Sequence, residues 1–517
     1  MQSTPQSLAY GEYARGELKP VRAGSPSALE SGHAWKVAPA GPLTLSYAFT
    51  PRSLGGVAPV WIAFGDRDRE VVRTVLDHVE AVANVRFVEA SAGQPAAINY
   101  TYSPELDDKN IGGWAFYPGS ARGGEVEIAT FIASPQWDFY RSGLFLHETL
   151  HALGLKHPFS DTPQLADADD TILNTVMSYT GIAGVEHASL SVYPDEPMPL
   201  DIEELAALYG PATASPGDTL YDASQGPWAK NFHAIWDSGG IDTLDASRSK
   251  AAVMLDLRPG FASDVGARVY ASGIDSVTRA PVFVTYSRTV DIAQDTTIEN
   301  ATGSPFNDLL VGNERANLIL GGAGDDIIDG RGGSDTIVGG PGIDVVLFDG
   351  AASMYVVANK GNTWQVRVAA DVDELTSVER LLFDDGALAL DVAEAAGTAA
   401  RLLSTVLGPE SVRNPTAVGI LIAALDSGKT AHDTALLLLN VVARGETNVA
   451  FVERVFANVT GSAPSDATTA ALASLIDGGV FTQATFAERV ADLPLTADRI
   501  DLAGLVEHGL PYLPFAF

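Results

Sequence analysis

Residues Phe145–Pro158 read FLHETLHALGLKHP and hold three of the chain's nine histidines. His147 and His151 are four residues apart, so on an α-helix they share one face, a turn apart, and both imidazoles reach one ion. Glu148 follows His147 and leans over the same ion without ligating it. Gly154 can take a positive φ and end the helix. The chain then turns back and His157 supplies a third nitrogen. Three neutral imidazoles are a borderline ligand set that suits one Zn²⁺ and leaves a position open for water. Zinc lowers the pKa of that water, and Glu148 takes its proton as it attacks a peptide carbonyl. Five fixed residues spaced HExxHxxGxxH are far more specific than HExxH alone. The other histidines, His33, His78, His187, His233, His432 and His508, lack such partners and read as surface or satisfied core residues.

Composition narrows the setting. A chain of 517 residues has room for two to four domains, and its 46 % apolar content fills real cores. Net charge is −33, from 65 acidic and 32 basic residues. That argues against nucleic acid as a partner, because phosphate binding needs clustered Lys and Arg. It fits carboxylates that bind hard cations and a chain kept soluble outside the cell. With no cysteine there are neither disulfides nor thiolate metal sites. The opening MQSTPQSLAYGEYARGELKP has no apolar core of a signal peptide. The most apolar run, ALLLLNVVA from Ala435, is too short to span a bilayer.

Four textures divide the chain. Residues 1–30 are polar and read as a leader or propeptide. Residues 31–211 are mixed α/β: LTLSYAF, VRFVEA, AINYTY and EVEIATF read as strands. DREVVRTVLDHVEAVA carries Val71, Val75, Val79 and Val82 at helical spacing, and PLDIEELAALYG closes the region with Gly210 at its end. Residues 212–392 are β with many Gly and Asp. Residues 393–517 are helical, with two related units, AALDSGKTAHDTALLLLN and SLIDGGVFTQATFAERVAD, whose Asp426 and Asp477 occupy matching turns.

The third region holds a repeat of nine residues: GSPFNDLLV from Gly303, then GNERANLIL, GGAGDDIID, GRGGSDTIV and GGPGIDVVL. Position six is Asp308, Asn317, Asp326, Asp335 and Asp344. Position eight is Leu310, Ile319, Ile328, Ile337 and Val346, which should face inward. The pattern GGxGxDxUx is that of a calcium-binding parallel β-roll. Turns two repeats apart stack, so Ca²⁺ is expected between Asp308 and Asp326, between Asn317 and Asp335, and between Asp326 and Asp344. Exposed turn carbonyls complete the ligands: Gly303 and Pro305, Gly321 and Ala323, Gly330 and Gly332, Gly339 and Pro341. The second repeat is degenerate. Stacked carboxylates repel without an ion, so the roll is expected to be disordered without calcium.

The HExxHxxGxxH stretch is the metzincin motif, and NTVMSYT supplies the methionine turn that class needs, with Met177 twenty residues past His157. VMSY resembles the serralysins, secreted RTX zinc proteases. The resemblance covers roughly residues 30–390. It implies that Tyr179 is a displaceable zinc ligand that swings away and hydrogen-bonds the oxyanion, and that Met177 packs beneath the metal. It implies that substrate adds as a β-strand to an edge, which the sequence leaves as either GGEVEIATF from Gly123 or GGWAFYP from Gly112. It also assigns calcium loops upstream of the repeats: Ser215, Gly217 and Thr219; Asp237, Gly239, Gly240 and Asp242; and Thr297 with Glu299. The helical tail departs from the family and resembles a module of secreted RTX and surface-layer proteins.

The expected fold is multidomain: an α/β metzincin domain, a parallel β-roll and an all-α C-terminal module. The expected function is a secreted, calcium-stabilised zinc endopeptidase acting on proteins or peptides. Export by type I machinery is expected, with a cell-surface or surface-layer partner for the helical module and no membrane span. The competing expectation is a weak or inactive calcium-stabilised surface or adhesion protein that keeps the protease fold as a scaffold; the intact Glu148 argues against it.

Overall fold

The computed structural model describes residues 26–37, 41–50, 62–91, 94–183, 185, 188–213, 217–275 and 277–514. The described residues divide into two compact units, 26–302 and 303–514.

The first unit opens with a five-stranded sheet of order β2-β1-β3-β5-β4: β1 Leu43–Ala48, β2 Val85–Glu89, β3 Ile98–Tyr102, β4 Gly113–Ala115 and β5 Glu125–Ile128. All neighbours are parallel except β4, which runs antiparallel to β5 at the edge. The edge strand is therefore the GGWAFYP candidate; β5 lies inside the sheet. Helix α1, Asp66–Val82, buries Val72, Val75, Leu76, Val79 and Val82, a stripe at helical spacing. Helix α2, Asp138–Leu153, is buried from Gly143 to Leu153. Helix α3, Pro199–Tyr209, ends at Gly210 with φ 83°. Residues 26–30, polar in texture, are packed in place: Ala28 and Leu29 are buried, and the Lys156 N–H donates to the Leu29 carbonyl. Beyond Gly210 the unit is strand-rich. Leu220–Asp222, Thr243–Asp245 and Asn300–Thr302 stack in parallel.

The second unit begins with the repeats. Strands β6 Leu309–Val311, β8 Ile327–Asp329 and β10 Val345–Leu347 pair in parallel on one side, and β7 Leu318–Leu320 with β9 Thr336–Val338 on the other. Successive repeats thus alternate between two sheets, and repeats eighteen residues apart stack. Position eight points inward throughout: Leu310, Ile319, Ile328, Ile337 and Val346 are all buried. The stacking continues past the last nonapeptide, β9 pairing with β11, Asp371–Thr376, and β10 with β12, Arg380–Phe383. Strand β13, Gly386–Ala389, folds back on β12.

Helices follow: α4 Ala395–Leu407, α5 Pro415–Asp426, α6 Ala431–Val442, α7 Asn448–Thr460, α8 Asp466–Asp477, α9 Gln483–Ala491, α10 Pro494–Arg499 and α11 Leu502–His508. The chain then returns as β14, Leu510–Tyr512, antiparallel to β13. One apolar cluster joins Ala387, Ala389 and Val392 to α4, α5, α6, α7 and α9. Arg380, fully buried, donates to Asp391 Oδ1 at 2.5 Å and to Asp426 Oδ1 at 2.8 Å. Asp426 is therefore more than a turn former: it ties α5 to the sheet. Asp477, its counterpart in the second unit, accepts instead from Asn448 Nδ2. Removing Arg380 strands two buried carboxylates, so Arg380→Met should destabilise this unit by about 3–5 kcal/mol, read as a lower denaturant midpoint.

Candidate metal centre

The three histidines meet. His147 Nδ1 lies 2.8 Å from the Val176 carbonyl and His151 Nδ1 2.7 Å from the Leu155 carbonyl. Each Nδ1 must donate there, which leaves each Nε2 a lone pair. His157 comes off the turn that follows α2, and its Nε2 lies 3.1 Å from that of His147 and 3.0 Å from that of His151. Lone pairs converging on one point repel unless a cation sits between them, and three imidazoles fit zinc. Burial lowers the His147 pKa to about 4 and that of His157 to about 3, and puts that of His151 well below the ordinary value. All three are neutral ligands near pH 7. Among the described residues this is the only group of three or more His, Asp or Glu close enough to hold one metal ion.

The frame is rigid for identifiable reasons. Gly154 ends α2 at φ 109°, and a Cβ there would collide with the His33 carbonyl oxygen. The buried Lys156 amine donates to the Ala28, Ser160 and Pro163 carbonyls and fixes the chain around His157. Met177 is fully buried in the same core. Asp201, which no motif singles out, accepts from Thr175 Oγ1, Val176 N and Met198 N. It therefore holds the turn whose Val176 carbonyl orients His147. Nothing local marks this role, because its partners in the methionine turn, Thr175 and Val176, lie 26 and 25 residues away.

Two polar groups flank the cluster. Glu148 is buried, and its Oε2 finds no hydrogen-bond partner among the described residues. Burial raises its pKa to about 8. The Tyr179 hydroxyl lies 2.9 Å from His157 Nε2, and Tyr179 is half exposed. Burial of its hydroxyl and the nearby Glu148 charge push its pKa up to about 12. Edge strand β4 runs directly over Glu148: a Cβ at Gly113 would sit 2.7 Å from Glu148 Cγ and Oε1.

The repeat turns form a second kind of site. The Asp308 N–H donates to Asp326 Oδ1, Asn317 N–H to Asp335 Oδ1 and Asp326 N–H to Asp344 Oδ1, at 2.8–2.9 Å. The other oxygens, Asp326 Oδ2 and Asp344 Oδ2, are buried with no hydrogen-bond partner among the described residues. Burial and the neighbouring carboxylates raise Asp326 to about 8, and Asp335 and Asp344 to about 7. A Cβ at Gly321 would lie 2.5 Å from both Asp326 Oδ2 and the Gly339 carbonyl, so those oxygens face one small space. Orphaned carboxylate oxygens beside turn carbonyls fit a hard cation. In the second repeat Asn317 exchanges hydrogen bonds with Asn313 instead. Of the position-three carbonyls, that of Pro341 accepts from the Gly324 N–H. The ladder extends to two residues outside the repeat: Asp335 N–H donates to Asp373 Oδ1 and Asp344 N–H to Glu379 Oε2.

The upstream loops also converge. Asp242 Oδ1 accepts from Thr219 N, Asp242 N donates to Glu299 Oε2, and Asp237 Oδ1 accepts from Gly239 N. Asp242 Oδ2 is buried without a hydrogen-bond partner among the described residues. A Cβ at Gly240 would lie 2.7 Å from the Gly217 carbonyl. Thr296, rather than the adjacent Thr297, bonds Asp237, its hydroxyl accepting from the Asp237 N–H. Ser215 lies outside the described residues.

A family model described as RTX calcium-binding nonapeptide repeat (4 copies) matches residues 302–337 and 311–346. The chain is 32 % identical to metalloprotease AprA of Pseudomonas entomophila over 335 residues, 56 % of this chain and 63 % of that protein. It is 31 % identical to serralysin G of Dickeya chrysanthemi, over 50 % of this chain and 56 % of that protein. It is 29 % identical to a serralysin of Photorhabdus laumondii, over 50 % of this chain and 55 % of that protein. The chain thus spans little more than half the length of the curated relatives it matches. A solved structure titled "Structure of myroilysin" aligns at 13 % identity and TM-score 0.23, over 35 % of this chain and 97 % of that chain, and adds no argument. Among the described residues no helix is long and apolar enough to cross a membrane. With a histidine triad fit for zinc and a calcium-binding repeat in the same chain, the protein is a homologue of the serralysin-type RTX metalloproteases at about 30 % identity over half its length.

Proposed function

We propose that the chain is a secreted zinc endopeptidase stabilised by calcium. The observation that carries this reading is the convergence of three Nε2 atoms beside the buried Glu148, whose Oε2 has no hydrogen-bond partner among the described residues. His147, His151 and His157 hold the metal. Zinc bound there supplies Lewis acidity and a water of lowered pKa. Glu148, dehydrated and without a competing partner, accepts the proton of the attacking water and passes it to the leaving amine. Tyr179, half exposed beside His157, donates to the developing oxyanion. Strand β4 presents a free edge to an extended peptide, which adds to the sheet above Glu148.

Calcium is held in the roll by Asp308, Asp326, Asp335 and Asp344 with turn carbonyls, Asp373 and Glu379 extending the series. The loops of Gly217 and Thr219, of Asp237 and Asp242, and of Glu299 hold further ions. Export by type I machinery follows from the repeats: the roll stays loose at cytosolic calcium and sets outside. Metal analysis with a casein assay, before and after a zinc chelator, tests the reading. About one zinc per chain and chelator-sensitive hydrolysis support it, whereas a zinc-free chain inert on casein supports the scaffold alternative.

The closeness of β4 to Glu148 gives one specific expectation. Gly113→Ala inserts a methyl into the Glu148 carboxylate, which must shift, while the exposed edge tolerates the change. Hydrolysis should fall by about tenfold or more, because misplacing a base by a fraction of an ångström to 1 Å costs on that scale. Zinc content and melting temperature should hold.

A further inference from the structure

The helices of the second unit enclose a cavity of about 340 Å³ that neither the metal centre nor the roll uses. Val455 and Val459 of α7, Leu472 and Leu475 of α8, and Phe486 of α9 line it. The lining is almost wholly apolar. Helix α8 buries only Thr469 and Ala473 completely, so its leucines turn towards the cavity instead of closing a core. Leu493 and Leu495 also line it and are exposed, which places them at its mouth. The one charged lining residue is Arg489, exposed and in no ion pair among the described residues. In a chain of net charge −33 with 65 acids, an uncommitted cation beside an apolar cavity is a selective feature.

We propose that this cavity binds a single-chain fatty acid, the aliphatic tail inside and the carboxylate at Arg489. An apolar cavity stays dry and takes apolar ligands. Its size is at the low end of the ~300–1,000 Å³ typical of ligand pockets, which suits one chain rather than two. Arg489 selects an anionic head over a neutral one, and the exposed leucines cover the first methylenes.

Titrating the full chain, in calcium, with a dansyl-labelled undecanoic acid should give a saturable rise in emission that dodecanoate reverses. Leu472→Trp fills the cavity from a half-buried position and should weaken binding at least about tenfold, as a filled pocket has no room for the chain. Arg489→Gln, at the surface, leaves the fold intact. It should weaken dodecanoate about two- to fivefold, the range of an exposed ion pair, and leave dodecanol unchanged. No saturable binding by the wild type overturns the proposal. So does equal binding by Leu472→Trp, or equal loss of dodecanoate and dodecanol in Arg489→Gln. Displacement of the probe by an apolar peptide and not by dodecanoate overturns it too, and makes the cavity a peptide-docking groove.

Discussion

Glu148→Ala should keep its zinc and lose at least about a hundredfold in kcat on casein, the scale for removing a general base. Metal retention follows from geometry. The three Nε2 atoms are aimed by the Val176 and Leu155 carbonyls and by the turn after Gly154, none of which Glu148 touches. Stability should hold or rise, because a buried carboxylate oxygen without a partner costs free energy that alanine does not incur. An unchanged melting temperature therefore separates lost chemistry from lost fold. Wild-type rates on casein would remove Glu148 from the mechanism.

Calcium should govern the roll, with a pH dependence of defined sign. Circular dichroism should show β structure gained on adding calcium, because ligand binding and folding are one equilibrium there. In the calcium-free fold, burial and neighbouring carboxylates raise Asp326 to about 8 and Asp335 and Asp344 to about 7, against an ordinary 3.8. A folded pKa above the unfolded one means the fold binds more protons. These groups therefore contribute stability at low pH that is lost as pH rises from about 4 through 7 to 8. Calcium takes the place of the protons. The unfolded carboxylates are already ionised above about pH 4, as are the calcium-bound ones, so the calcium concentration at the midpoint of folding should hold or fall on going from about pH 8 to pH 6, protons then standing in for part of the calcium. A midpoint that rises on going to pH 6 would contradict this linkage.

Both sites were legible in the sequence where their residues are local. His147 and His151 are one helical turn apart, and the nonapeptides keep strict register, so spacing alone placed the imidazoles together and turned position eight inward. The features that stayed hidden depend on distant pairings. Strand β4 is the edge because β5 finds β3 on its other side, a pairing no local pattern encodes. Asp373 and Glu379 extend the roll at separations of 38 and 35 residues, outside the repeat of nine. Asp201 acts on the methionine turn from the start of α3. Asp426 and Asp477 look alike in sequence, yet only Asp426 meets a buried arginine. The strand Leu510–Tyr512 pairs with Gly386–Ala389 across the whole intervening set of helices.

Anomalous diffraction at the zinc edge tests the central claim most directly. One strong peak should lie about 2.0–2.1 Å from the Nε2 atoms of His147, His151 and His157, with Tyr179 Oη beside it and Glu148 outside bonding distance. No peak there, or a peak ligated by Glu148, would contradict it.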